Sequence, residues 1–384
     1  MTTMSSALSP ARRARPAAGA RAGERASHLL ERSRTLVRPA LAEAIGRLHP
    51  WVGEMAAYSL GWCEPGGAPV ATPAHGKGLR QALAVLSAEA AGAPQSAGVT
   101  AAVAVELVHT FSLLHDDIMD GDPTRRGRPT VWKAYGTGPA VLAGDALFAL
   151  AVETLAAAPG TDIPSAVRHL STALNDLVRG QADDLLFESR PWTGPEAVRP
   201  DEYRSMAEHK TGALLGCATA LGAVLAGAPR ETVAALDRAG RHLGVAFQVV
   251  DDLLGIWGDP TVTGKPVHAD LLRGKKTFPV LAALGTPAAR PLARLLNSAD
   301  PLDAADARRA ASLIEDAGGR AAATAEAHRH IAVVDACLDS LPSTTGTGTG
   351  TGTTHGTRDA RATRSTRSTD DLRALLDFLV RREM

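Results

Sequence analysis

From residue 101 to 120 the apolar side chains Val103, Leu107, Phe111, Leu114 and Ile118 recur at intervals of four, four, three and four, the spacing of one α-helix face. The segment ends in Asp116, Asp117 and Asp120, three carboxylates within five positions. Asp116 and Asp120 are one turn apart on the same face, and Asp117 lies about 100° round the helix. Like charges so placed destabilise a bare helix. The run follows the apolar FSLL and is not interspersed with lysines, as a solvated face would be. Hard oxygen donors on one face suit Mg²⁺, which takes few carboxylates and completes its shell with water and substrate phosphate. This helix must therefore bury one face and also carry its acidic end to something positive.

The rest of the chain points to the same architecture. Strand signals are almost absent, and alanine, leucine and arginine are abundant, which favours helix. The 384 residues alone would allow two or three domains. The periodicity instead predicts one all-α domain over 27–384. Residues 1–26 are rich in Arg, Ala and Pro without an apolar core, so they read as a flexible tail, with a transit peptide as the alternative. Residues 342–369, PSTTGTGTGTGTTHGTRDARATRSTRST, cannot build a core and read as a flexible loop. A final docked helix follows: Leu372, Leu375, Leu376 and Leu379 form its stripe, Asp370 and Asp371 open it, and Arg381 and Arg382 close it. The longest uncharged apolar run, 211–229, is near the lower limit for a membrane span and reads as a buried helix. Net charge is zero, so nothing pulls the molecule toward nucleic acid or an anionic membrane. Three scattered cysteines, Cys63, Cys217 and Cys337, suit a reducing cytosol rather than a disulfide framework or a zinc site.

A second acidic cluster lies in FQVVDDLLGIWGD, with Asp251, Asp252 and, further on, Asp259. It also follows an apolar helical run, so two carboxylate-bearing helix ends are expected to face each other. Basic residues follow both clusters: Arg125 and Arg126 after the first, Lys265, Lys275 and Lys276 after the second. Lys77 and Arg80 sit in HGKGLR, and Lys210 in EHKTG. Arginine forks match phosphate, and lysine adds a point charge. Several Mg²⁺ ions and this many cations call for a highly anionic ligand such as one or two diphosphates. Neither GxxxxGK[ST] nor a GxGxxG after a strand is present, which argues against a nucleotide.

From about Gly76 to Pro279 these motifs, with GQADDL, HKTG and GKPVHADLLRGKKTFP, stand in the order of the trans-isoprenyl diphosphate synthases, or polyprenyl synthetases, which the chain resembles. The resemblance implies a bundle of about a dozen helices around a deep central cavity, in a homodimer. It implies Mg²⁺-dependent condensation of isopentenyl diphosphate with an allylic diphosphate (dimethylallyl, geranyl or farnesyl). Asp116, Asp120 and Asp251 are then expected to hold three Mg²⁺ ions, with Asp117 and Asp252 completing or supporting the shells. Arg125, Lys210 and Lys265 grip the allylic diphosphate; Lys77, Arg80, His109 and Arg126 hold isopentenyl diphosphate. Thr211, Gln181 and Gln248 line the reacting carbons. Ionisation would leave an allylic cation, which the isopentenyl double bond attacks.

Three features depart from the family pattern. Gly255 replaces the third aspartate of the second motif, Gly78 and Gln81 stand where larger or more rigid residues are common, and the 342–369 insertion precedes the C-terminal end. A terpene cyclase is the first competing reading, opposed by the second set of cations. A non-catalytic synthase subunit is another, opposed by two retained aspartate motifs. Phe111, five positions before Asp116, and the small Ser112, one turn below it, resemble the archaeal-type geranylgeranyl synthases. The expected product is therefore geranylgeranyl diphosphate, with farnesyl or longer products as the alternative. Residues 29–69 also resemble synthases carried as cargo by family 2 encapsulin shells, which would make the N-terminal tail an address.

Overall fold

The computed structural model describes residues 14–70, 76, 78–159, 162–260, 267–298, 300–341 and 368–376, with side chains from residue 23 onward. The helices are α1 (Ala14–Gly46), α2 (Pro50–Ser59), α3 (Leu79–Ala90), α4 (Val99–Met119), α5 (Val131–Tyr135), α6 (Thr137–Ala156), α7 (Ile163–Ser189) and α8 (Pro200–Ala207). They continue with α9 (Ala213–Leu225), α10 (Arg230–Trp257), α11 (Ala269–Leu272), α12 (Phe278–Leu284), α13 (Arg290–Leu296), α14 (Ala304–Asp316), α15 (Gly319–Asp339) and α16 (368–376). Among the described residues the only sheet is the hairpin of β1 (Thr124–Arg125) and β2 (Arg128–Pro129). The fold is all-α, as the periodicity predicts.

Helices that are apolar all round belong in the middle of such a bundle. In α3, every residue except Arg80 is buried, and all of α9 from Ala213 to Val224 is buried. The run 211–229 is thus a core helix. Two other helices are long and apolar enough to cross a membrane by length and composition, Gln95–Met119 and Thr137–Ala156. The first is core: Val103, Leu107 and Leu114 are at most 2% exposed. Close approach of α3 and α9 depends on a missing side chain. A Cβ on Gly222 would stand 2.1 Å from the Ala84 carbonyl oxygen. α4 lies against α6, and α10 lies between α9 and α15.

Two boundaries differ from expectation. α1 begins at Ala14, so the predicted tail is too long: Ala26 is fully buried, and Arg25 pairs with Asp371 of α16 at 2.6 Å. The segment is poor in large apolar residues, yet alanine and arginine are strong helix formers. Ala26, Leu29, Leu30, Ser33, Val37 and Leu41 all lie on its buried side. At the other end, Ser368 and Thr369 already belong to α16, and Leu372, Leu375 and Leu376 are buried. Residues 342–367 of the expected loop lie outside the described residues, as do Leu379, Arg381 and Arg382. Burying each such leucine contributes roughly 1.5–3 kcal/mol, so α16 is a docked element.

Candidate active site

The last turn of α4 delivers Asp116 and Asp120, and α10 delivers Asp251 and Asp252. Between them, Glu208–Gly212 forms a π turn joining α8 to α9. Such turns interrupt the i→i+4 ladder and often mark functional sites. Two glycines let neighbouring helices close on it. A Cβ on Gly180 of α7 would stand 2.2 Å from the Lys210 backbone nitrogen, and one on Gly244 of α10 would stand 2.3 Å from Gly212 Cα. The π turn thus presents Lys210 and Thr211 between α7 and α10. Lys210 Nζ lies 2.5 Å from Asp184 Oδ2, and the Thr211 hydroxyl donates to Gln248 Oε1 at 2.8 Å.

The two acidic clusters meet through shared neighbours. Burial pushes the Asp116 carboxyl up to about 6; Asp120 and Asp184 add to the rise, while Lys210 and Arg125 oppose it. Lys275 Nζ is 3.9 Å from Asp120 Oδ2. Burial disfavours its charge, but Asp120, Asp184 and Asp270 outweigh this and raise its pKa. Lys275 therefore lies among carboxylates from both halves of the site.

The four paired aspartates do different work. Asp117 Oδ1 accepts from Arg125 Nε at 2.7 Å and from Nη2 at 2.6 Å, and it is buried. Asp117, expected to complete or support the metal shells, and Arg125, expected to grip the allylic diphosphate, are each other's partner here. Asp252 is fixed too. It accepts from the Tyr203 hydroxyl at 2.6 Å, the Phe278 backbone N–H at 2.8 Å and Gln248 Nε2 at 3.3 Å. Burial raises its carboxyl to about 8 against the pull of those donors, and Asp270 raises it further. Asp252 supports the end of α10 from behind. Asp259 is exposed just past the end of α10. Among the described residues no three His, Cys, Asp or Glu side chains form a preformed metal cage. Carboxylate oxygens such as those of Asp116 and Asp120 are the hard donors that Mg²⁺ prefers.

The Gly255 departure has a steric cause. A Cβ there would stand 1.9 Å from Asp270 Oδ2, so the Asp270 carboxylate occupies the volume that a third aspartate would need.

A second cationic group gathers around His109, two turns before Asp116 on α4. Arg80 Nη1 lies 3.2 Å from His109 Nε2. A guanidinium only donates, so Nε2 accepts and the ring carries its proton on Nδ1. Burial, then Arg80, Arg126 and Arg125, hold the His109 pKa well below the usual range, so the ring is neutral. Arg126 and Gly127 make the two-residue turn of the hairpin, with φ of 53° and 74°. This turn aims Arg126 back at Gly76, where a Cβ would stand 2.8 Å from its guanidinium. Gln181 is buried, and neither of its side-chain polar atoms has a partner among the described residues. Buried amides of that kind point to a ligand or water. Lys77 and Lys265 lie outside the described residues.

Sequence reasoning missed Asp184, although GQADDL carried it. Asp270 and Tyr203 were invisible as site residues because their roles arise from contacts between distant segments. Phe111 packs edge-on to His115 with ring centroids 4.9 Å apart, and against Phe148 of α6 at 5.7 Å. Ser112 donates to the His109 carbonyl at 2.9 Å.

A family model described as polyprenyl synthetase matches residues 69–314. The (2E,6E)-farnesyl diphosphate synthase of Mycobacterium tuberculosis is 48% identical over 301 residues, 77% of this chain and 82% of its own length. The geranylgeranyl diphosphate synthase of the same organism is 47% identical over 294 residues, 76% of this chain and 82% of its own length. The crystal structure of a polyprenyl synthetase from Streptomyces coelicolor superposes with a TM-score of 0.79 at 43% identity, covering 92% of this chain and 99% of that one. The chain belongs to the polyprenyl synthetase family and is a prenyltransferase.

Proposed function

We propose that this prenyltransferase extends an allylic diphosphate with isopentenyl diphosphate to give mainly geranylgeranyl diphosphate, with Mg²⁺ held by Asp116, Asp120 and Asp251. Bound there, the metal supplies positive charge to the departing diphosphate. Lys210 and Lys265, with Arg125 after it leaves Asp117, orient the allylic diphosphate. Lys77, Arg80, His109 and Arg126 orient isopentenyl diphosphate. Thr211 has committed its proton to Gln248, so its oxygen turns lone pairs outward, the polarity that steadies an allylic cation. Gln181, with its unpaired amide, lies on the same wall. Water must be excluded, because the cation would otherwise be quenched to an alcohol.

The observation that carries the product length is the ring of Phe111, clamped between His115 and Phe148 five positions before Asp116. One helix turn rises about 5.4 Å, close to one extended isoprene unit. Small Ser112 lets the chain pass the first turn below Asp116, and Phe111, braced by Phe148, forms the floor. Similarity does not separate the readings, since the farnesyl and geranylgeranyl relatives are 48% and 47% identical. Ser112→Phe is expected to shorten the main product to farnesyl diphosphate. Phe111→Ala, and more weakly Phe148→Ala, should allow longer chains. Chromatography of the dephosphorylated alcohols decides: an unchanged product in all three variants places the floor elsewhere, and a wild-type farnesyl product refutes the ruler.

The working form is a homodimer in the cytosol. The three cysteines are free thiols and buried, in keeping with a reducing compartment. α6 exposes Val141, Leu142 and Phe148, and α7 exposes Val178, Leu185 and Leu186. Val141 and Phe148, and likewise Val178 and Leu185, are seven apart, so each helix carries them on one face, an apolar surface suited to a second copy. Residues 1–13, shorter than the tail first drawn and outside the described residues, are the remaining candidate for an encapsulin address. The assembled mass should be that of a dimer with or without residues 1–13, while co-purification with an encapsulin shell should need them. A monomeric mass removes the first proposal, and shell loading without the segment removes the second.

A further inference from the structure

α1 lies outside the residues matched by the family model, yet it forms one wall of the cleft behind the Gly76–Gly78 loop. Arg34 and Arg38, one turn apart, face Trp62, Gly76, Gly78 and Glu106 across it. Arg34 Nη2 donates to the Gly76 carbonyl at 3.2 Å. A Cβ on Gly78 would stand 3.7 Å from Arg34 Nε, so the guanidinium lies close to both Gly76 and Gly78. Glu31, one turn earlier on α1, pairs with the same guanidinium. Arg38 is braced by Trp62, its guanidinium 5.6 Å from the ring. Glu106, on α4 three residues before His109, interacts with Arg80, Arg126 and Arg34, and accepts a hydrogen bond from Gln81. One carboxylate therefore gathers three guanidiniums that would otherwise repel.

We propose that Arg34 is a positioning residue for isopentenyl diphosphate, holding Gly76 and Gly78 ahead of α3 so that Arg80 is set for that diphosphate before it arrives. The proposal rests on the reading of Lys77, Arg80 and Arg126 as its binding site. A loop with glycine on both sides of its lysine has much conformational freedom to lose. Fixing it beforehand removes that cost from binding. The contacts of Arg34 to Gly76, Gly78 and Glu106 all lie on the isopentenyl side of the proposed site, so its effect should fall on that substrate.

The test uses the full chain with Arg34→Met, beside Arg80→Met as reference. Calorimetric titration with isopentenyl diphosphate, without allylic substrate, gives Kd; steady-state kinetics give KM for each substrate. In Arg34→Met, Kd and KM for isopentenyl diphosphate are expected to rise about tenfold, or about 1.4 kcal/mol. The KM for the allylic diphosphate and kcat should stay within about twofold, the pattern of a binding-only loss. Unchanged affinity for isopentenyl diphosphate overturns the proposal. So does a joint rise in both KM values, which is what loosened packing gives. If Arg80→Met leaves affinity intact, the reading of the site itself fails. If Arg80→Met weakens binding and Arg34→Met does not, only the role of Arg34 falls. Should Arg34→Met not fold, Arg34→Lys, which keeps the charge without the planar fork, is read in the same way.

Discussion

Asp116→Ala and Asp251→Ala are each expected to lower kcat by about 10²–10³-fold or more, the scale on which a lost charge-stabilising group acts in a dry site, with the helical fold retained. Asp116 lies where burial and two neighbouring carboxylates already disfavour its charge. Such a site gains most from a cation and loses little packing when the carboxylate goes. Asp252→Ala should behave differently. It would strand the Tyr203 hydroxyl and the Phe278 N–H, both of which now donate to it inside the protein. Each buried donor left unmade costs roughly 1–3 kcal/mol, so this variant should lose thermal stability as well as activity. Turnover rates and melting curves for the three variants check the division of labour. Near-normal turnover in Asp116→Ala and Asp251→Ala would remove the metal assignment, and an unchanged melting curve for Asp252→Ala would remove its supporting role.

Gly255→Asp, which rebuilds the family's third aspartate, is expected to damage the enzyme rather than improve it. The new Cβ would stand 1.9 Å from Asp270 Oδ2, and its carboxylate would meet another in a buried place. Overpacking costs about 1–3 kcal/mol, and an uncompensated buried charge adds several more. A fall in melting temperature and at least a tenfold loss of kcat should follow, the latter because α10 cannot move without moving Asp251. Combining it with Asp270→Gly, which vacates the volume, should recover part of both losses. Full activity in Gly255→Asp alone would show that Asp270 can swing away at little cost, and that the glycine is not required.

How much was legible beforehand differs by element. The helix carrying Asp116 was readable from the spacing of Val103, Leu107, Phe111, Leu114 and Ile118, because local periodicity states which face is buried. The ordered motifs gave the family and the residue types of the site for the same reason, each being a short contiguous pattern. The start of α1, residues 14–26, was misjudged from its average composition. A helix needs only one apolar stripe, and Ala26, Leu29 and Val37 supply it. Partnerships were not legible at all. Arg125 and Asp117 are eight residues apart and could equally have bound separate ligands; the hairpin turn at Arg126 and Gly127 folds one onto the other. Lys210 and Asp184, Tyr203 and Asp252, and Arg34 and Gly76 lie 26, 49 and 42 residues apart. By itself, the sequence determined a helical prenyltransferase with two acidic helix ends, because those properties reside in local pattern. Tertiary structure alone decided which protein partners each aspartate takes, because that depends on which distant donors are packed within hydrogen-bond reach.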